Sequence, residues 1–271
     1  MFIKIKILVF YILSLVIVSC GKNEQKIYKK FESKPISEER IRAIVKEELS
    51  NFNIDSNNSN FSELQMNQIG GPGFEKTAKS NGWITNSNSI GDPNAIKGGN
   101  FTFATEEFPP TFRYDGKDTR LQILSLLADL SYEGLLGIDY QTLDYTAKLA
   151  THWKISDDKQ TIWYRINPNA RWSDGKEVTS EDVIATYKLL VDEGIEEPST
   201  NGTYSENYYE PIAESKYIVR VDCKKINWRS FIYISTRPIY PAHHLNKIDG
   251  AGFLKKYQYQ MLPGTGPYKM D

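Results

Sequence analysis

The sequence predicts a mixed α/β fold, and three stretches carry that prediction. Trp153–Ile155 and Thr161–Ile166 are short runs rich in β-branched and aromatic residues. The polar stretch Asp157-Asp158-Lys159-Gln160 lies between them, so the pair reads as a hairpin. Thr179 then opens a helix, with Glu181 and Asp182 favouring its positive end and Val183, Ile184, Tyr187, Leu190 and Val191 at helical spacing as far as Gly194. Lys216–Val221 alternates as a further strand, with Tyr217, Val219 and Val221 on one side. Between hairpin and helix, Asn167-Pro168-Asn169 ends the second strand because proline has no N–H for a ladder, and Asp174-Gly175 supplies a turn.

The chain has 271 residues, 33 Lys and Arg against 34 Asp and Glu, and a formal net charge of −1. That length supports one or two domains with a real core, and the balance of charge points to neither nucleic acid nor a cationic partner. The 17 tyrosines suit either binding surfaces or cores.

Residues 1–20 form a targeting segment: Lys4 and Lys6 precede the apolar run Ile7–Val18. As a helix that run spans about 18 Å, short of the roughly 30 Å of a bilayer core. Ile17-Val18-Ser19-Cys20-Gly21 resembles the lipobox of bacterial lipoproteins, which implies lipidation of Cys20 and a lipid anchor in the bilayer; a plain signal peptide is the alternative. A lipidated Cys20 leaves Cys223 alone, so no intramolecular disulfide is expected in the mature chain.

Residues 21–97 predict a flexible tether, with one helix over 37–50 that Ser37 caps and Ile41, Ile44, Val45 and Leu49 line. The globular part is expected over 98–271. Asn100–Thr105 alternates as a strand. Asp118 or Thr119 is the expected cap of a helix carrying Leu121, Leu124, Leu127 and Ala128. Gly202–Tyr209 is polar and aromatic, hence a loop. His243 and His244 are adjacent, but no cysteine or spaced third ligand accompanies them in the sequence, so no metal is expected.

The order of these features closely resembles the family 5 extracellular solute-binding proteins, the peptide-binding components of ABC importers. The resemblance rests on Tyr132-Glu133-Gly134-Leu135, Lys148-Leu149-Ala150-Thr151-His152-Trp153, Trp172-Ser173-Asp174-Gly175, Thr179-Ser180-Glu181-Asp182-Val183, Pro238-Ile239-Tyr240-Pro241-Ala242-His243 and Gly264-Thr265-Gly266-Pro267-Tyr268. It implies a type II periplasmic-binding-protein-like α/β fold of two lobes, of which this chain holds the first, with the second lobe absent. It places Tyr140–Leu143 in a strand and His152 at a variable, surface position. It makes Trp153, Trp172, Asp174, Gly175, Asp182, Gly264, Gly266, Pro267 and Tyr268 structural, the last four in a tight turn before a strand. By family position the ligand-contact candidates are Thr105, Glu106, Phe108 and Tyr132, although Thr111-Phe112-Arg113 replaces the family's usual Leu-Asp-Pro at the loop that leads to the ligand.

The function so implied is a substrate-binding lipoprotein outside the cytoplasmic membrane, in the periplasm or at the cell surface. It would capture peptides or a similar small solute for an ABC permease and its ATPase subunits. The alternative is a truncated lipoprotein that presents one lobe to another protein without transport. With half a cleft, weak peptide binding is the expectation. No cofactor is implied. An enzyme is not expected, since neither Gly-x-Ser-x-Gly nor His-Glu-x-x-His occurs and there are 3 histidines.

Overall fold

A computed structural model describes residues 70–87, 94, 96, 102–105 and 107–269. Cys20, the helix expected over 37–50 and Glu106 lie outside the described residues. The described elements are α1 (Glu75–Ala78), α2 (Gln122–Ser131), β1 (Leu136–Ile138), β2 (Tyr145–Ala147), β3 (Ala150–Ile155), β4 (Thr161–Ile166), α3 (Ser180–Val191), α4 (Pro198–Asn207), β5 (Ile212–Ala213), β6 (Ile218–Asp222), α5 (Trp228–Thr236), α6 (Ala242–Leu245) and α7 (Gly250–Lys256). None of the described helices is long and apolar enough to cross a membrane.

The hairpin is β3–β4, with Trp153 opposite Tyr164 and Ile155 opposite Ile162. Its turn is held by Asp158, whose Oδ1 accepts from the Gln160 amide at 3.0 Å. β6 pairs with the other edge of β4, and β5 with β6, giving an antiparallel sheet in the order β3-β4-β6-β5. β1 and β2 form a separate two-stranded ribbon.

One face of the sheet buries Tyr164, Ile166, Val219 and Val221 against Val183, Tyr187 and Leu190 of α3. Ala185 and Leu189, elsewhere on α3, join a second cluster with Tyr132, Tyr240, Leu245 and Phe253. α3 thus stands between two cores, and each large apolar side chain so buried stabilises the fold by about 1.5–3 kcal/mol. Several tyrosines serve this interior. Their hydroxyls reach buried partners: Tyr164 bonds Ser235 Oγ at 2.7 Å, Tyr187 donates to the Tyr208 carbonyl at 3.0 Å, and Tyr208 donates to the Ser230 carbonyl at 2.6 Å. A buried phenol costs little when its O–H is satisfied.

The opposite face is covered by residues expected in the tether. Phe74 and Ala78 pack on Ile218, with Trp83 and Trp163 alongside. Arg165 fastens this segment from β4. Its Nε donates to the Gly70 carbonyl at 2.6 Å, Nη2 to the Gly71 carbonyl at 3.1 Å and Nη1 to Thr151 Oγ1 at 2.8 Å, while Nη1 lies 2.9 Å from Glu75 Oε1. Ile84 then bridges to Trp153 on the free edge of β3. The packed chain therefore begins before Gly98, because a buried guanidinium needs acceptors and Gly70 and Gly71 supply them.

Two further corrections concern single residues and short runs. His152 is buried, not superficial: the Phe74 ring meets it edge-on at 5.4 Å. Thr102–Thr105 is exposed and forms no strand, and β-propensity without a pairing partner does not make a ladder.

Three other expectations change. Residues 139–143 make the turn between β1 and β2, not a strand: Asp139 Oδ1 accepts from the Gln141 amide at 2.8 Å, and Leu143 has φ 63°. α2 starts at Gln122 without a side-chain cap; Thr119 Oγ1 donates to the Gly116 carbonyl at 2.7 Å instead, and Asp118 has φ 65°. Gly202–Asn207 is helical, within α4, which begins with Pro198 in its first turn. Its buried side chains are Thr200, Asn201 and Tyr204, so it has no apolar stripe to reveal it. Asn201 Nδ2 donates to the Leu190 and Asp192 carbonyls at 2.8 and 3.0 Å, which docks α4 on the end of α3.

Replacing Arg165 with Met should release the Gly70–Ile84 segment. Hydrogen bonds to charged groups contribute about 1.5–3 kcal/mol each, so amide exchange over residues 74–84 should accelerate at least tenfold while β4 and β6 stay protected. Unchanged exchange in that segment, read by mass spectrometry, contradicts the anchoring role.

Candidate functional site

Segments far apart in the chain meet at one end of α3. The helix begins with Thr179, whose amide donates to Asp182 Oδ2 at 2.7 Å. The other oxygen, Asp182 Oδ1, accepts from the Ala242 amide at 2.7 Å. One carboxylate therefore starts α3 and fixes Pro241-Ala242 to it. Burial raises the Asp182 pKa, against the pull of these two amides, the Trp172 indole and His243.

Trp172 is buried beside it and begins the turn that Gly175 closes, the Gly175 amide donating to the Trp172 carbonyl at 2.8 Å. Gly175 has φ 87°, a conformation that L side chains resist. Asp174 projects from this turn: Oδ1 accepts from the Lys176 amide at 3.2 Å and Oδ2 lies 2.7 Å from His243 Nε2. The Ser173 amide donates to the Gly264 carbonyl at 2.8 Å.

Gly264-Thr265-Gly266 runs against the end of α2, with Gly266 N–H donating to the Ser131 carbonyl at 2.9 Å and Tyr268 N–H to the Leu130 carbonyl at 3.1 Å. Neither glycine has positive φ. They are required for close approach: a Cβ on Gly264 would fall on the Ser131 carbonyl oxygen, and one on Gly266 would lie 2.5 Å from that of Leu130. The chain bends at Gly266 and Pro267.

There are two open clefts, the first beside this junction and the second lined by the loop before α2 and the segment after α3. One, of about 420 Å³, is walled by Asp174, His244, Tyr257, Tyr259, Gly264 and Tyr268, among others. The other, of about 510 Å³, includes Glu107, Phe108, Lys117, Arg120, Leu121 and Glu196. Phe108, from one wall, and Tyr259, from the other, stand 6.4 Å apart, and Phe112 lies 5.9 and 5.7 Å from them. Phe108 is 75% and Tyr259 55% exposed. The loop that carries Phe108 and Phe112 is pinned by the Phe112 amide and Thr111 Oγ1, which donate to the Gln258 carbonyl at 2.7 and 2.8 Å. An exposed aromatic ridge between two clefts can hold an apolar group while carbonyls and charges on either side take its polar neighbours.

The four contact candidates part company here. Phe108 is on the ridge. Thr105 is exposed, its hydroxyl donating to the Glu107 carbonyl at 3.1 Å. Tyr132 is in the core: 5% exposed, edge-on to Tyr240 at 5.1 Å, its hydroxyl donating to the Leu262 carbonyl at 3.2 Å and its pKa raised by burial. It packs in the second core with its hydroxyl already bonded. Phe112 and Tyr259 were missing from the sequence reading; Lys256-Tyr257-Gln258-Tyr259-Gln260 has no local pattern that marks a ridge. Asp174 also gives the two histidines the third donor that the sequence does not place near them.

Residues 144–271 match the family model of bacterial extracellular solute-binding proteins, family 5. The chain is 31% identical over 145 residues to the peptidoglycan-binding protein YepA of Agrobacterium fabrum, covering 52% of this chain and 22% of that protein. It is 37% identical over 65 residues to a protein named as an ABC transporter-binding protein from Deinococcus radiodurans, covering 24% and 11%. Among solved structures, a dipeptide-binding protein from Pseudoalteromonas in complex with Met-Leu is 22% identical at a TM-score of 0.48, covering 59% of this chain and 34% of that one. The oligopeptide-binding protein AppA of Bacillus subtilis, with a nonapeptide, is 21% identical at 0.49, covering 59% and 31%. The chain thus spans about a fifth of the YepA relative and a third of these structures.

The two kinds of glycine separate by their cost. Gly175→Ala introduces backbone strain alone, since open space surrounds its Cβ position, and should lose about 1 kcal/mol. Gly264→Ala forces the chain off α2 and should lose about 2 kcal/mol or more. Urea unfolding of both variants checks this; equal losses, or a smaller loss at Gly264, contradict the packing described.

Proposed function

We propose, from the family 5 solute-binding segment at residues 144–271, that this protein is the solute-capturing component of an ABC importer, acting outside the cytoplasmic membrane. The match to that family model is the observation that carries the reading. The name of the Deinococcus relative supports the link to an ABC transporter. Peptides, or a chemically similar small solute, are the ligand class; the peptidoglycan-binding relative extends that class to peptide-bearing wall fragments. Lipid at Cys20 tethers the protein beside its permease and ATPase subunits.

In this reading the ridge of Phe108, Phe112 and Tyr259 forms part of one wall of the ligand cleft. Peptide binders of this kind take main-chain hydrogen bonds for affinity and leave side-chain pockets tolerant. An aromatic ridge suits that division, because ring faces accept varied apolar side chains without fixing their shape. A second lobe closing over the ridge would exclude water and complete the contacts. No residue is assigned a catalytic role.

Deleting the gene should abolish uptake of a labelled di- to pentapeptide mixture, and the wild-type gene should restore it. A gene carrying Phe108→Ala with Tyr259→Ala should restore it at least tenfold less well, with the protein present at normal level. Uptake that is unchanged by the deletion contradicts the importer reading.

A further inference from the structure

We propose that Asp174, His243 and His244 form a binding site for a divalent first-row transition metal ion, with zinc the ion their donors suit. The three side chains offer donor atoms that all lie within 4.8 Å of one another. His243 Nε2 is 2.7 Å and His244 Nε2 is 3.8 Å from the same oxygen, Asp174 Oδ2. Zinc binds imidazole nitrogen at about 2.0–2.1 Å and carboxylate oxygen at about 2.0–2.2 Å, so tetrahedral donors sit about 3.3 Å apart. The two distances straddle that value, and small side-chain rotations bring both to it.

Adjacent residues on a helix ordinarily point about 100° apart. Here the two rings converge, with centroids 4.6 Å apart, and both reach the one carboxylate. An ion would replace the proton in the 2.7 Å His243 Nε2–Asp174 Oδ2 hydrogen bond, and the other contacts orient the groups around it. His244 Nδ1 is 3.0 Å from the Tyr257 hydroxyl, so with its proton on Nδ1 the ring is oriented and Nε2 presents its lone pair. Asp174 Oδ1 is held by the Lys176 amide, which leaves Oδ2 for the ion.

Two imidazoles and one carboxylate leave a fourth position, and Asp174 and His244 line the 420 Å³ cleft, so water or a ligand donor atom has access to it. Such an ion would clip the Trp172–Gly175 turn to α6. Lys176 and Lys256 oppose a cation nearby, which sets the expected affinity in the micromolar range rather than tighter.

The test is competition for Zn²⁺ against a chromogenic chelator, with the full chain carrying no histidine tag. One Zn²⁺ per chain at micromolar affinity is expected. His243→Ala and His244→Ala should each weaken it more than tenfold, and Tyr257→Phe, which removes only the orienting hydroxyl, about tenfold. Circular dichroism without metal shows whether each variant is folded. X-ray absorption at the zinc edge of the wild-type complex needs no variant, and should show two imidazoles with oxygen ligands. Less than one equivalent bound, affinity unchanged in both folded histidine variants, or a spectrum without imidazole would overturn the proposal.

Discussion

The junction beside the 420 Å³ cleft depends on one buried carboxylate. Asp182 accepts the Thr179 amide with one oxygen and the Ala242 amide with the other. The first bond starts α3, the helix that stands between the two cores. The second brings in Pro241–His244 from 60 residues away. Trp172 packs beside the same carboxylate, its turn holds Gly264 through Ser173, and Gly266 reaches the end of α2. Burial makes this group costly, as its raised pKa shows, and the donors offset only part of that cost. Its role is to fix geometry: a neutral, apolar residue of similar size would leave both amides without acceptors inside the fold.

The local elements were legible because their signals are local. The β3–β4 hairpin announces itself by two aromatic, β-branched runs around Asp157–Gln160, and α3 by acidic residues in its first turn and apolar spacing beyond. α4 was hidden because what it buries is Thr200, Asn201 and Tyr204, a set that reads as polar loop until Asn201 is seen bonding the end of α3. Asn100–Thr105 misleads in the opposite way: its alternation is real, but Thr102–Thr105 is exposed and pairs with no strand among the described residues.

The site was legible as motifs and not as contacts. Trp172, Asp174, Asp182 and Gly264 stand out in the sequence, yet nothing in their spacing says that Ser173 meets Gly264 or that Asp174 meets His243. These are long-range pairings, which periodicity does not encode. Tyr132 shows the limit from the other side. Its motif position marks it as a contact residue, while its hydroxyl bond to Leu262 and the Tyr240 ring place it in the core. The exposed ridge formed with Phe108 needs Phe112 and Tyr259, joined through Gln258, and only the folded chain brings those together.

The central claim is that the Asp182 carboxylate joins α3 to the segment at Ala242, and Asp182→Asn tests it most directly. The amide side chain accepts one of the two N–H groups and turns a donor toward the other. Urea unfolding at neutral pH should therefore show a loss of about 1–3 kcal/mol. The pH dependence has a defined sign. A carboxylate whose folded pKa is raised above its ordinary 3.8 binds its proton more readily when folded, so the wild type loses stability from this group as pH rises from about 3.8 through the raised value. The Asn variant lacks that slope, so the stability difference between the two proteins should change with pH across the same window. Equal stability of the two proteins throughout that range would contradict the account.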